Sequence, residues 1–176
     1  FNINKVISFK GIKQGIENTN YLLKSKKKKY ILTIFEKRVL QKEIPFFMKL
    51  MDNLNNSKIN CPKPLKTRNN KYLIKLKNKT ACIVSFLEGK DKKILNINDC
   101  YTVGKIIARM HMVTNTMKLN RKNSMGIKNL KPLLESIKFK SKKFSNLKLF
   151  LNNNLKDINK NWPKQLPKGI IHGDLF

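Results

Sequence analysis

The residues with the clearest chemical potential are the last five of the sequence, His172-Gly173-Asp174-Leu175-Phe176. A carboxylate positioned beside a hydroxyl can orient it and accept its proton while the hydroxyl oxygen attacks an electrophile. Phosphoryl transfer to a hydroxyl uses a carboxylate in this role, together with metal ions at the nucleotide phosphates. Asp174 is therefore the candidate catalytic residue, and His172 is expected to brace the loop through hydrogen bonds.

Two upstream segments carry candidate nucleotide contacts. Gly11 and Gly15 fall between two predicted strands, where glycine lets a backbone approach phosphate oxygens, although an ordinary turn has the same composition. Ser85 and Leu87 lie where a predicted strand ends, and the backbone there either pairs with an adenine edge or merely ends the strand. A bare His-X-Asp triplet is common by chance. The order in which a glycine-bearing hairpin, a linker and His172-Gly173-Asp174 follow one another is much less common by chance.

The first half of the chain must position these residues, and its pattern predicts an antiparallel sheet with one helix. Residues 10–20 are predicted to form a turn-rich link, and residues 25–29 a charged, exposed hairpin tip. Pro45 fits the first turn of the helix, where a missing N–H is tolerated. Strands are predicted at 6–9, 21–23, 30–35, 73–76 and 81–86, with the helix over 44–55, and this β-β-β-α-β-β order indicates an α+β fold.

The second half is predicted to be helical after a linker over residues 87–92. Asn98 or Asp99 is expected to cap a helix that runs to Met117, with His111 as a buried core histidine. Two further helices are predicted over 132–144 and 147–159, and residues 170–171 form an extended approach to His172. The chain is therefore expected to form a β-rich lobe, residues 1–87, and a helical lobe, residues 88–176. The predicted buried side of the first of these helices comprises Val103, Ile106, Ile107, Met110, Val113 and Met117.

Composition bounds the class of protein. The formal net charge is +29, but lysine, asparagine and isoleucine share AT-rich codons, and the 39 basic residues include only four arginines. Lysines are also spread over the whole chain, which favours a solvated basic surface over specific nucleic-acid binding. Cys61, Cys82 and Cys100 show no zinc spacing and are expected to be buried, reduced thiols. No run approaches roughly 20 apolar residues, so a cytoplasmic protein with no membrane partner is expected.

Several segments together resemble the aminoglycoside phosphotransferase and choline kinase superfamily, and within it the homoserine kinases of the ThrB type. The resemblance implies a protein-kinase-like two-lobe fold, with a small antiparallel sheet lobe and an incomplete helical lobe. The segments that carry it are Gly15-Ile16-Glu17-Asn18-Thr19-Asn20-Tyr21, Tyr30-Ile31-Leu32-Thr33-Ile34-Phe35-Glu36, Pro45-Phe46-Phe47, Leu50-Met51, Pro62-Lys63-Pro64, Phe86-Leu87-Glu88-Gly89, Gly104-Lys105-Ile106-Ile107-Ala108-Arg109-Met110-His111 and Leu166–Phe176.

The resemblance implies ATP-dependent phosphorylation of the side-chain hydroxyl of L-homoserine, a step in threonine biosynthesis. Asp174 would be the catalytic aspartate. Thr33 stands where many superfamily members carry a phosphate-binding lysine, as it does in the homoserine kinase group, and Lys24 is the nearby cation in sequence. The residues implied to contact the nucleotide are Gly11, Gly15, Asn18, Asn20 and Thr33 at the phosphates, and Ser85 and Leu87 at adenine.

The resemblance also implies Mg²⁺, whose ligands are expected beyond Phe176, so no metal ligand is assigned within the sequence. The sequence is expected to be truncated at both ends, and the 176-residue chain alone is predicted to be inactive. Other acceptors within the same superfamily stay open, namely choline, an aminoglycoside or another small hydroxyl compound. A non-enzymatic alternative is a basic nucleic-acid-binding module. The sequence leaves the oligomeric state unknown.

Overall fold

The computed structural model describes residues 1, 3–13, 17–36, 40–124, 126–137 and 144–175. Within these residues, five strands and four α-helices form an α+β arrangement, which confirms the predicted fold class. In chain order the elements are β1 (Val6–Ile12), β2 (Asn18–Ser25), β3 (Lys29–Phe35), a short 3₁₀ helix (Gln41–Glu43), α1 (Ile44–Asn56), β4 (Ile74–Leu76), β5 (Lys79–Ser85), α2 (Ile97–Asn115), α3 (Ile127–Ser136) and α4 (Ser145–Asn161).

The strands form one antiparallel sheet in the order β1-β2-β3-β5-β4. Its first hairpin corrects the prediction that residues 10–20 are a turn-rich link. β1 runs on to Ile12, which pairs with Asn20, and Gly11 pairs with Tyr21. Residues 10–12 and 18–20 are therefore strand, because interstrand hydrogen bonds pair their backbone N–H and C=O groups without a turn or water. The second hairpin has the predicted lysine-rich tip, closed by the Ser25 N–H donating to the Lys28 carbonyl at 2.9 Å.

Helix α1 packs on one face of the sheet, and its predicted extent is confirmed. Pro45 lies in its first turn, where the absent N–H leaves no hydrogen bond unmade. Ile44 and Met48, one turn apart, are almost fully buried against Cys82 and Val84 of β5. The opposite face has a second apolar cluster around Leu23, Tyr30 and Ile83. The sheet therefore has an apolar cluster on each face, whereas β1 at its edge is almost entirely exposed.

The β4–β5 hairpin turns through Lys77 and Asn78, both of which have positive φ, at 45° and 64°. A two-residue turn with this backbone matches the twist of the flanking strands. It places Lys75 opposite Thr80, and the Lys75 Nζ donates to the Thr80 hydroxyl at 3.0 Å.

Helix α2 begins earlier than predicted. Asn96 caps it: its side chain accepts from the Asp99 N–H at 3.0 Å, and the Asp99 carboxylate accepts from the Asn96 N–H at 2.8 Å. This reciprocal box satisfies two N–H groups at once, so Asp99 lies in the first turn instead of capping. His111 is exposed, contrary to prediction, because it lies about 100° around the helix from the half-buried Met110.

The predicted buried side of α2 is only partly buried. Val103 and Ile106 are exposed at 41% and 52%, and the buried residue of the helix is Thr114. The half-buried members of the predicted set are Ile107, Met110, Val113 and Met117. None of the helices in the described ranges is long and apolar enough to cross a bilayer.

Helix α3 also begins earlier than predicted, with Pro132 inside it and not at its start. Proline lacks the N–H that would bond to the carbonyl of Lys128, so the helix forms despite one lost hydrogen bond. Helix α4 covers its predicted range, whereas residues 138–143 of the predicted third helix lie outside the described residues. The chain divides into two compact units, Phe1–Asn120 with Gly169–Phe176, and Arg121–Lys168. The predicted lobe boundary at residues 87–88 stays a prediction.

The cysteines are free, but they are not all buried. Cys82 is 2% exposed in the core, and burial raises the pKa of its thiol to about 12. Cys61 is half-buried, and burial likewise raises its pKa. Cys100 is exposed, which corrects its prediction: it lies in the first turn of α2, on the side that faces solvent.

Candidate functional site

Three of the predicted site residues lie together on neighbouring strands. Asn20 of β2 pairs with Thr33 of β3, and Asn18 pairs with Phe35 two residues along. Residues directly opposite each other in a sheet point to the same face, and side chains two apart share it. The face is the one that α1 covers, because Phe35 packs against the α1 cluster. The structure therefore presents a polar patch, Asn18, Asn20 and Thr33, beside the α1 core.

Two of these side chains are bonded to each other. The Thr33 hydroxyl donates to the Asn20 Oδ1 at 2.8 Å, in a partly buried position. Because Oδ1 accepts this bond, both protons of the Asn20 amide nitrogen remain available as donors. The strand pairing thus fixes the orientation of a neutral donor group on this face of the sheet.

Asn18 contributes a polar atom that is not satisfied. Its Oδ1 is buried and accepts no hydrogen bond from any described residue. A buried acceptor without a donor costs on the order of 1–3 kcal/mol, so such atoms are uncommon unless a ligand or water supplies the donor. The orphaned oxygen fits a small molecule that brings N–H or O–H groups to this patch.

The two glycines are placed differently from each other. Gly11 lies within β1, and a Cβ built there would meet only the Tyr21 ring, at an ordinary contact distance of 3.9 Å. The strand therefore does not require glycine at this position, and the open space above it is compatible with close approach of a ligand. Gly15, in the connection between β1 and β2, lies outside the described residues.

Ser85 and Leu87 lie at the end of β5, as predicted, but only Leu87 has an uncommitted backbone. The Ser85 N–H donates to the Lys63 carbonyl, and its Oγ accepts from the Lys63 N–H, both at 2.9 Å. Ser85 also pairs with Tyr30, so its side chain points to the face opposite Thr33. Leu87 is exposed, and its backbone makes no hydrogen bond to another described residue. The groups free to meet an adenine edge are those of Leu87.

Lys24 is not placed to replace the missing lysine at Thr33. It pairs with Lys29 at the end of the second hairpin, four residues along β2 from Asn20. Four strand residues span roughly 13 Å, which exceeds the reach of a lysine side chain. The sheet row that crosses Thr33 instead contains the uncharged residues Ile12, Asn20 and Cys82.

The His172-Gly173-Asp174 turn is exposed. Gly173 has φ of +76°, a left-handed backbone that a side chain would strain. The segment belongs to the same compact unit as the sheet. No hydrogen bond or ion pair joins Asp174 to another described residue, and therefore none joins it to the Asn20 patch. Among the described residues, no group of three or more His, Cys, Asp or Glu side chains could hold a metal ion.

A carboxylate network near the patch was not predicted. Glu36 accepts from the Thr19 hydroxyl at 2.9 Å and from Lys79 Nζ at 2.7 and 2.9 Å. The bond from Lys79, followed by that from Thr19, lowers the pKa of Glu36. Glu36 lies in one of the segments that carry the resemblance, but its partner is 43 residues away. The network joins β2, β3 and β5 at the end of the sheet where Asn18 lies.

The chain is similar to known phosphotransferases. A family model described as phosphotransferase enzyme family matches residues 8–176. A homoserine kinase of Paramagnetospirillum magneticum is 39% identical over 177 aligned residues, covering 100% of this chain and 54% of the relative. The homoserine kinases of Methylocella silvestris and Parvibaculum lavamentivorans are each 37% identical, covering 100% of this chain and 55% of theirs. The chain spans about half the length of the curated relatives it matches.

Solved structures share the fold. A spectinomycin phosphotransferase in complex with ADP and spectinomycin superposes with a TM-score of 0.58 at 15% identity, covering 98% of this chain and 59% of that one. The AMP-bound complex of spectinomycin phosphotransferase gives a TM-score of 0.55 at 16% identity, covering 97% and 59%. At this identity the similarity shows the fold, and it confirms the predicted kinase-like architecture.

Proposed function

This chain belongs to the phosphotransferase enzyme family, and from that premise we propose that the protein transfers the γ-phosphoryl group of ATP to the side-chain hydroxyl of L-homoserine. One observation carries the choice of acceptor: the homoserine kinases match the chain over its whole length, at 37–39% identity. The structural neighbours were solved with ADP and AMP, which supports a nucleotide as the phosphoryl donor.

In this proposal the nucleotide lies on the α1-covered face of the sheet. The Asn20 amide, oriented by Thr33, donates to phosphate oxygen, and Asn18 accepts from a donor group of the ligand. The exposed backbone of Leu87 meets the adenine edge. Gly11 leaves room for the phosphates in the first hairpin, and Ser85 supports the strand end through Lys63. The phosphate role of Gly15 stays a prediction. Each of these roles is a proposal that rests on strand pairing and on the free donors and acceptors described above.

Asp174 carries the acid–base chemistry in this proposal. The homoserine hydroxyl oxygen forms a bond to the γ-phosphorus, the bond from that phosphorus to the bridging oxygen of ADP breaks, and the hydroxyl proton passes to Asp174. The left-handed Gly173 lets the loop present the carboxylate, which is solvent-exposed. His172 is proposed to brace this turn.

Magnesium supplies charge neutralisation in reactions of this class. The described residues contain no cluster that could hold it, so they do not fit a metal site and no step is assigned to the ion. The predicted Mg²⁺ requirement, the cytoplasmic location and the inactivity of residues 1–176 alone stay predictions. Metal titration, cell fractionation and an assay of that segment test them. No comparison supports the nucleic-acid-binding alternative.

An acceptor screen of the full-length protein tests the proposal. ADP release is measured with homoserine, choline and spectinomycin at equal concentrations, for the wild type and for Asp174→Asn as the blank. We expect kcat/KM for homoserine to exceed that of the other two by at least about 100-fold, because a site built for one hydroxyl compound leaves polar groups unpaired with another. A preference for choline or spectinomycin would overturn the choice of acceptor while leaving the kinase assignment intact.

A further inference from the structure

The end of the β2–β3 hairpin forms a cleft of about 540 Å³, away from the Asn18–Asn20–Thr33 patch. This volume lies within the range that binds small molecules, roughly 300–1,000 Å³. None of the three patch residues lines it. Its lining consists of Lys24, Ser25, Lys26, Lys27, Lys28, Lys29, Tyr30, Lys63, Leu65, Ser85, Phe86 and Glu88.

The charge of this cleft is unbalanced. Six lysines line it against one carboxylate, Glu88, which pairs with Lys29 at 2.7 Å. Lys24 lies directly opposite Lys29 on the neighbouring strand. Like charges directly opposite each other destabilise a hairpin. An anion bound at the hairpin end would therefore reduce the repulsion between these lysine side chains. The exposed Lys29–Glu88 pair contributes little stability of its own, and an anion can displace it.

The shape favours a small ligand over an extended surface. The apolar part of the lining is formed by the buried Tyr30 and the half-buried Leu65 and Phe86. The turn is held by the Ser25 hydroxyl, which donates to the Lys28 carbonyl and accepts from the Lys28 N–H. A concave site with an apolar part and several cationic groups concentrates small anions.

A second, smaller cavity adjoins the first. It has a volume of about 230 Å³ and shares Lys26 and Lys27 with the larger cleft, adding Lys5 from the start of the chain. The two cavities therefore place cationic groups on both sides of the hairpin tip.

We propose that this hairpin cleft is a binding site for a small polyanion, a compound with two or more phosphate or carboxylate groups. The cleft does not include the Asn18–Asn20–Thr33 patch, but its lining residues Phe86 and Glu88 flank Leu87, the proposed adenine contact. Glu88 occupies the cleft as an internal competitor for Lys29. Because Phe86 and Glu88 also begin the segment that leaves β5, the ligand changes the contacts of that segment when it binds.

Calorimetry on the full-length protein with saturating ADP tests the proposal, using tripolyphosphate and citrate as separate probes. ADP fills the nucleotide site, so remaining binding reports the cleft. The variant K26Q/K27Q/K28Q should weaken binding on the order of tenfold, since local charge governs the attraction. The matched control K148Q/K156Q/K160Q removes three exposed charges from α4 and should change it less than about threefold. Binding of tripolyphosphate alone identifies phosphate as the ligand group, and binding of both identifies general polyanion recognition.

A second pair of variants gives an effect of opposite sign. Glu88→Gln removes the internal competitor and should strengthen binding about threefold or more, whereas Glu135→Gln removes an exposed carboxylate from α3 and should leave it unchanged. Equal losses in the two triple-lysine variants would overturn the proposal, because the net charge alone would then account for binding. So would binding that saturating ADP abolishes, no measurable binding of either probe, or equal effects of the two glutamate variants.

Discussion

Replacing Thr33 by valine tests the role of the bond between β2 and β3 on the proposed nucleotide face. Valine keeps the branched shape but cannot donate to the Asn20 Oδ1, which accepts from Thr33 at 2.8 Å in a partly buried position. A neutral hydrogen bond of this kind contributes about 0.5–1.5 kcal/mol. We expect the free energy of unfolding to fall by about 1 kcal/mol, which corresponds to a fall in Tm of roughly 2–4 °C.

The same substitution should weaken nucleotide binding. Without Thr33, the Asn20 amide is free to rotate, and its donors no longer point in one direction. A hydrogen bond to a charged group contributes about 1.5–3 kcal/mol, and losing half of the upper value corresponds to roughly tenfold in affinity. Affinity for homoserine should change less than about twofold, because the proposal places only the nucleotide at this bond.

The assay is calorimetric titration of the full-length protein with a non-hydrolysable ATP analogue, alongside thermal unfolding. Thr33→Ser is the matched control, since it removes a methyl group but retains the hydroxyl donor. Valine should weaken analogue binding by about tenfold and serine by less than about threefold. Equal affinities for the two variants, with the expected loss of stability in the valine protein, would refute the nucleotide role and leave a purely structural bond.

Three further predictions follow from burial and titration. Ile44→Ala, at a fully buried site, should lower the free energy of unfolding by about 2–5 kcal/mol. The control Ile97→Ala, at an 87% exposed site, should change it by less than about 0.5 kcal/mol. Denaturant titration measures both changes. Burial, followed by the hydrogen bond from its hydroxyl to the Asp52 carboxylate, raises the pKa of Tyr72 from 10.0 to about 12. The protonated hydroxyl therefore makes its full contribution to the free energy of unfolding below pH 10, and that contribution is lost as pH rises through 12. The stability difference between wild type and Tyr72→Phe should therefore shrink over that window, and a constant difference would contradict this. A thiol reagent at pH 8 should modify Cys100 first and Cys82 only on unfolding, because Cys82 is buried with a pKa of about 12; equal rates would contradict the burial.

The sheet and helix α1 were predictable because their signals are local. Strand alternation and the proline at position 45 depend only on neighbouring residues, and both predictions are confirmed. The burial of α2 was predicted less well. Its apolar spacing suggested one buried side including His111, yet Val103, Ile106 and His111 are exposed. Helical periodicity identifies an apolar side, but burial also depends on which part of that side another element contacts.

The candidate site was predictable only as a set of segments. The sequence indicated that the region around Asn20 and the strand containing Thr33 matter, but the bond between them depends on hairpin register, which is set by a distant pairing. Lys24 looked close to Thr33 in sequence and lies at the other end of the hairpin. The contact between Glu36 and Lys79 joins residues 43 positions apart, so no local pattern could reveal it.

We propose that this chain contains the nucleotide face and the catalytic loop of a kinase that phosphorylates homoserine. It is tested most directly by transfer of radiolabelled γ-phosphate from ATP to homoserine, comparing the full-length wild type with Asp174→Asn. We expect labelled homoserine phosphate from the wild type and a fall in kcat of roughly 10²–10⁴ in the variant, with nucleotide affinity unchanged within about twofold. If the wild type transfers no label to homoserine, or if the variant reacts at the same rate as the wild type, the proposed activity of this chain is wrong.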